Sequence, residues 1–191
     1  MTSGSTTSIL AAHQCVGIGR RALQQLRASL ERDTHQAPAY LQEAGFAGGE
    51  ELFAAYAAWL ADGFGVSRPS DLDAGHLNDV LARFFAETGW GSLTVSQIAP
   101  SVLALDSDDW AESGDQSGAA YPSCHLSCGL LADFLGRMTD GTVAVMEVEC
   151  RARGDARCRF LAGAPETLGT LYDRMAQGLG YQDALGAGET P

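Results

Sequence analysis

The chain contains no lysine: all 12 of its basic residues are Arg, against 24 Asp and Glu, for a formal net charge of -12. That imbalance excludes a general backbone-binding role on DNA or RNA, because such a surface repels phosphate instead of releasing its counterions. It also disfavours docking on anionic lipid. No stretch approaches the ~20 apolar residues that span a bilayer. The opening MTSGSTTSILAAHQC has neither a basic region nor a long apolar run behind one. The chain is therefore expected to carry no signal peptide and no membrane span, and to be cytoplasmic. Also missing are G-x-S-x-G, a Walker loop and H-E-x-x-H, so the common hydrolase, nucleotide and metalloprotease signatures are absent. Gly17-Ile18-Gly19 is too short for a dinucleotide loop. His13, His35 and His76 are scattered. His125 neighbours Cys124, but adjacent helical residues point about 100° apart, which disfavours a Cys–His nucleophile pair. No catalytic residue is assigned.

What is present suffices for one core: 191 residues, of which 46% are apolar. Residues 9–32 read as a first helix with Gly17 and Gly19 weakening it, and Cys15 as a small buried side chain within it. PAYLQEAGFAGGEELFAAYAAWLAD reads as two helices joined at Gly48 and Gly49, and residues 74–87 as another. Their Leu, Phe and Tyr stripes suit a core or a two-fold interface. After Gly89 the pattern alternates. WGSLTVSQIA and SVLALDS read as strands, DDWAESGDQSGAAYPS as a long loop whose Trp110 can close an apolar cavity or dock on the core. CHLSCGLLADFLGRM returns to helix, TVAVMEVEC and RCRFLAG to strands, and PETLGTLYDRMAQG to a closing helix with Pro165 near its start. The tail 182–191 is expected to fray. The order predicts an α+β fold, an antiparallel sheet packed with helices. Residues 1–84 form an N-terminal helical region of the same domain, and 85–187 its core.

Four of the five cysteines fall between Cys124 and Cys158. In a cytosolic setting, that density favours metal binding or redox work over structural disulfides, although a Cys150–Cys158 bridge is an alternative. Cys150 and Cys158 are symmetric about Gly154. A hairpin bend there, with Arg153-Gly154-Asp155 as turn residues, would set their Cβ atoms about 4.5–5.5 Å apart. Glu147, three residues before Cys150, points to the opposite face of a regular strand. Both can serve one ion only if the strand bulges, twists or ends between them. Glu149 is equally awkward. Cys124 would come from the start of the preceding helix, where a thiolate is favoured. Three thiolates and one carboxylate would make a closed tetrahedral zinc site, a structural staple without an activated water. Cys128, one helical turn after Cys124, could instead complete an all-thiolate set.

The pattern Cys124-x4-Gly129, followed by Glu147-x2-Cys150-x3-Gly154-Asp155-x2-Cys158-Arg159-Phe160, resembles the 4-vinyl reductase domain family. That family is related to vesicle-tethering complex subunits and to the aromatic-sensing domains of bacterial activators. FAETGWGSL at 85–93, DWAE at 109–112 and AGFAGGEEL at 44–52 fit the same resemblance. It implies a zinc ion held by Cys124, Glu147, Cys150 and Cys158, favouring Glu147 over Cys128 and Glu149. It also implies a domain that often dimerises around a small apolar cavity, with Trp90, Trp110 and Tyr121 as its ligand-pocket candidates and no assignable His. Asp133 departs from the family, many members of which carry a second Gly there.

Three functions follow as expectations. The first is a small-molecule binding or sensing domain for an apolar or aromatic ligand, passing its signal through a partner protein. The second is an enzyme or accessory factor in tetrapyrrole vinyl reduction, for which the chain shows no hydride-carrier fingerprint. The third is a homodimeric interaction scaffold.

Overall fold

The computed structural model describes residues 6–114 and 118–186. The front half is helical: α1 (Thr6–Ala12), α2 (Arg20–Asp33), α3 (Ala37–Ala47), α4 (Gly49–Phe64) and α5 (Ala74–Glu87). A hairpin follows, β1 (Thr94–Ala99) and β2 (Val102–Ser107), then α6 (His125–Thr139). The chain continues through β3 (Ala144–Glu149), β4 (Cys158–Gly163), α7 (Pro165–Ala176) and α8 (Tyr181–Gly186). The fold is α+β, as the hydropathy pattern predicts. The joint between α3 and α4 falls on Gly48, and α4 ends where Gly65 takes φ +69°.

Three expectations are corrected. The single helix over residues 9–32 is two helices, because residues 13–19 leave helical geometry, with Gln14 at φ +61° and Gly17 and Gly19 supplying no helix propensity. Cys15, read as buried, is only half-buried. The polar stretch after Asp108 is not simply a surface loop: Trp110, Ala111, Glu112 and Ser113 are buried. Residues 115–117 of that stretch lie outside the described residues. The expected frayed tail begins later than residue 182. Ala184 is fully buried in α8 and its carbonyl accepts from Arg174 Nη1 at 2.8 Å, while 187–191 lie outside the described residues.

The four strands form one antiparallel sheet in the order β1-β2-β4-β3. Alternation along β4 divides its side chains between two cores. Cys158, Phe160 and Ala162 face the main core with Tyr56, Trp59, Phe84, Trp110 and Phe134, whereas Leu161 faces a second core under α7 and α8. The aromatic stripes of α4 and α5 thus go into the interior. α6 is the central helix and is buried on nearly all sides. It meets α3 backbone to backbone. A Cβ on Gly45 would collide with the Leu126 carbonyl, and one on Gly129 with the Gln42 carbonyl. At the next contact, Asp133 packs on Gly49 so closely that a Cβ there would strike its carboxylate. Among the described residues, no helix is long and apolar enough to cross a membrane.

Candidate metal centre and apolar cavity

The ladder between β3 and β4 contains the irregularity that the residue spacing demands. Glu147 pairs with Phe160 and Glu149 with Arg159, so β3 carries one extra residue, Val148, as a bulge. Val148 turns into the second core. Glu149 faces away from the main core, where its carboxylate accepts from Arg157 Nε at 2.9 Å and from the Tyr181 hydroxyl. The bulge therefore spends one residue and returns Cys150 to the side of the sheet that Glu147 occupies. The ladder opens just past Glu149 and Arg159, with Cys150 and Cys158 on either side of the opening. The connection is a short 3-10 turn over Arg151–Arg153 ending at Gly154, φ +102°. The Asp155 carboxylate secures it by accepting from the Cys150 amide at 2.7 Å and from Arg153 Nε at 2.8 Å.

Cys124 arrives from the other side, as the N-cap residue of α6. The thiol sulfurs of Cys124, Cys150 and Cys158 and one carboxylate oxygen of Glu147 all lie within 4.8 Å of one another. The Cys124 and Cys150 sulfurs are 3.9 Å apart. The edge of a tetrahedron built on Zn–S bonds of about 2.3 Å is about 3.8 Å. The three cysteines are fully buried. Glu147 Oε2 accepts from the Cys124 amide at 2.8 Å, while Oε1 is buried without a hydrogen-bond partner. Cys128 and Glu149 are outside this group.

The electrostatics describe a site with more potential negative charge than it can hold alone. Burial pushes the Glu147 carboxyl up to about 8, with the neighbouring Cys150 thiolate adding to the shift. Burial, then hydrogen bonding to Cys150, raises the Cys124 thiol well above its ordinary value. Cys150 is driven down by hydrogen bonds from Cys124 and Cys158. One anion is accommodated and the others are suppressed, the behaviour of a closely packed acidic cluster without a cation. An orphaned carboxylate oxygen among three thiols matches the hard-and-soft donor mixture that zinc accepts.

Behind Cys124, the first turn of α6 is held by a residue that spacing arguments miss. Glu112 is fully buried. Its carboxylate accepts from the Leu126 amide at 3.1 Å, the Ser127 amide at 2.7 Å and the Ser127 hydroxyl. Burial raises its carboxyl, and the bonds from Ser127 oppose the rise. It caps a helix from 13 positions upstream of the first helical residue, too far for any local capping pattern. Trp110 Nε1 donates to Ser127 Oγ at 2.7 Å, completing the connection.

On the far side of that turn lies an apolar cavity of about 840 Å3. Leu126 and Leu130 of α6, Leu52 of α4 and Trp90 form much of its wall, and the whole segment from Gln14 to Arg20 lies along it. Of the three aromatic candidates, Trp90 alone lines this cavity. Trp110 sits behind it, 1% exposed and stacked on Trp90 with centroids 5.6 Å apart. Tyr121 is 78% exposed and away from the wall. The Trp90 loop is fixed by Asp109, whose carboxylate accepts from the Ser92 amide at 2.7 Å and the Ser92 hydroxyl at 2.8 Å. Gly91 at φ +124° allows that approach. Arg20 donates across the rim to the Gly89 carbonyl at 3.2 Å and the Asp109 carbonyl at 3.5 Å. No histidine among the described residues lies on this wall.

Comparison with known proteins agrees with the resemblance read from residues 147–160. The family model for the 4-vinyl reductase domain matches residues 112–164, a span that begins at Glu112 and contains all four clustered residues. A protein of Methanocaldococcus jannaschii described as uncharacterized is 32% identical over 80 residues, covering 42% of this chain and 42% of that protein. The match thus spans under half the length of that relative. Among solved structures, the phenol-responsive sensory domain of the transcription activator PoxR with phenol superposes with a TM-score of 0.59 at 18% identity, covering 79% of this chain and 77% of that one. A trafficking protein particle complex subunit 3 from Naegleria fowleri, covalently bound to palmitic acid, gives 0.57 at 12% identity over 75% and 91%. A vinyl-4-reductase family protein from Methanocaldococcus jannaschii gives 0.50 at 15% identity over 85% and 96%. These structures share the fold.

Proposed function

We propose that this chain is a small-molecule binding domain of sensory type, in which a structural zinc ion on Cys124, Glu147, Cys150 and Cys158 holds one wall of an apolar ligand cavity. The observation that carries this reading is the double use of one helical turn. Cys124 caps α6 within the metal cluster, and Leu126, two residues on, lines the cavity. A cavity of about 840 Å3 lies within the range of small-molecule sites, roughly 300–1,000 Å3. The shared fold with a phenol-responsive sensory domain supports a ligand of apolar or aromatic character.

Zinc, when bound by four protein ligands, supplies a cross-link between the β3–β4 hairpin and α6. The remaining work falls to the chain's own residues. Glu112 neutralises the exposed amides at the start of α6. Asp155 orders the Cys150 turn. Trp110, through Ser127, ties the Trp90 loop to the same helix. The thiols suit a reducing, cytoplasmic setting. Signal output needs a partner. Leu26, Tyr40 and Phe46, each about half exposed on α2 and α3, are our candidates for a homodimer contact or for that partner. Native mass spectrometry of freshly purified protein tests the reading as a whole. It should show about one zinc per chain, with retained ligand and a dimer resolved in the same spectrum. Folded protein free of both metal and ligand would overturn it.

A further inference from the structure

We propose that the cavity takes an elongated apolar molecule several times larger than a single aromatic ring, laid beneath the strap of residues 13–19, which Arg20 latches over it. This deepens the small-molecule reading above and rests on it. Size is the first argument. A buried cavity of about 150 Å3 is enough to hold benzene, whereas this one measures about 840 Å3. A lone ring would leave most of the apolar wall without contact atoms, and unfilled contact is lost attraction.

The strap supplies the second argument. Seven consecutive residues, Gln14 to Arg20, lie along the cavity. Yet Val16 is 89% exposed and Ile18 is 56% exposed. Nothing lies within 4 Å of where a Cβ would stand on Gly17 or Gly19. The chain therefore lays two β-branched apolar side chains along an apolar cavity without giving them protein to pack on. A long ligand between the strap and the Leu52–Trp90–Leu126 wall provides that missing surface.

The ends of the strap provide the third argument. At the near end Ile9 and Leu10 of α1 pack on the main core. At the far end the Arg20 guanidinium reaches the Gly89 and Asp109 carbonyls, the backbone on either side of the Trp90 and Trp110 stack. Both ends are held and the middle is open, the construction of a strap that can settle on an occupant. Cys15 lies on the strap and on the wall together, and so reports whether the space is filled.

The test uses the full zinc-loaded chain and two probes with the same head and different length, phenol and 4-nonylphenol. Each buried methylene contributes a roughly fourfold gain in affinity at about 0.8 kcal/mol. Isothermal titration should therefore show 4-nonylphenol binding at least about 100-fold tighter than phenol. The exposed pair Val16→Ser with Ile18→Ser should remove about tenfold of that gain and leave phenol unchanged. Alkylation of Cys15 by iodoacetamide, followed at its own peptide by mass spectrometry, should slow about tenfold when 4-nonylphenol is bound, and Arg20→Ala should abolish the protection. Equal affinities, or tighter binding of phenol, would overturn the size assignment and leave the small-molecule reading standing. Tight 4-nonylphenol binding with unprotected Cys15 would overturn the strap. Binding of neither probe would remove the small-molecule reading and this inference with it.

Discussion

The two sides of α6 are built on opposite principles. On the metal side every position is over-determined: three buried thiols, a bulge that turns Cys150 to the face of Glu147, and amides held by Asp155 and Glu112. On the cavity side the strap is under-determined, with Val16 and Ile18 in solvent and glycines among open space. The contrast separates two demands on one fold. A cross-link must have a single geometry, while a binding wall gains from surface left uncommitted until a ligand arrives.

The largest effect should come from breaking the over-determined side. Cys158→Ala removes one of four clustered donors, and structural zinc contributes apparent folding free energy on the order of 10 kcal/mol in small domains. The variant should lose zinc by elemental analysis and its cooperative melting transition. An unchanged melt would erase the contrast. Gly129→Ala comes next. Its new Cβ meets the Gln42 carbonyl, so α3 and α6 must separate. We expect a loss of about 3 kcal/mol in urea unfolding, typical of an overpacked site without room to relax. Glu112→Ala should cost about 2 kcal/mol by the same measurement, since it strands the Leu126 and Ser127 amides.

A pH series sharpens the comparison further. In the chelated chain the Glu147 carboxyl sits at about 8, above its ordinary 4.5. The folded state keeps a proton that the unfolded state has released, so this contribution is complete below the unfolded value and is lost as pH rises through about 8. Metal-free protein should therefore melt lower at alkaline pH than at mildly acidic pH. Zinc-loaded protein should show the reverse, because binding requires deprotonated donors. Smallest of all, Ile18→Ser on the strap should change stability by less than about 0.5 kcal/mol. Calorimetry showing a larger loss would mean that the strap is already packed.

The same contrast governs how much the sequence discloses. The hairpin around Gly154 is legible because its donors lie eight residues apart on paired strands, and the need for a bulge between Glu147 and Cys150 follows from strand alternation alone. Which residue bulges is not legible, since Val148 is chosen by the second core, far away in sequence. Glu112 escapes for the same reason, as it reaches a helix end from 13 residues upstream of its first residue. Tyr121 and Trp110 fail as cavity residues because an aromatic in a polar stretch says nothing about which way it faces. The split of the first helix is visible in Gly17 and Gly19, but helix propensity costs of about 1 kcal/mol each do not decide between a weak helix and a strap. Asp133 becomes intelligible only in three dimensions, where Gly49 vacates the space its carboxylate fills.

X-ray absorption at the zinc edge, recorded on the protein as purified, tests the central claim most directly. The account predicts a four-coordinate ion with three sulfurs at about 2.3 Å and one oxygen at about 2.0 Å. A shell of four sulfurs would replace Glu147 with Cys128, and a sample without zinc would contradict the staple altogether.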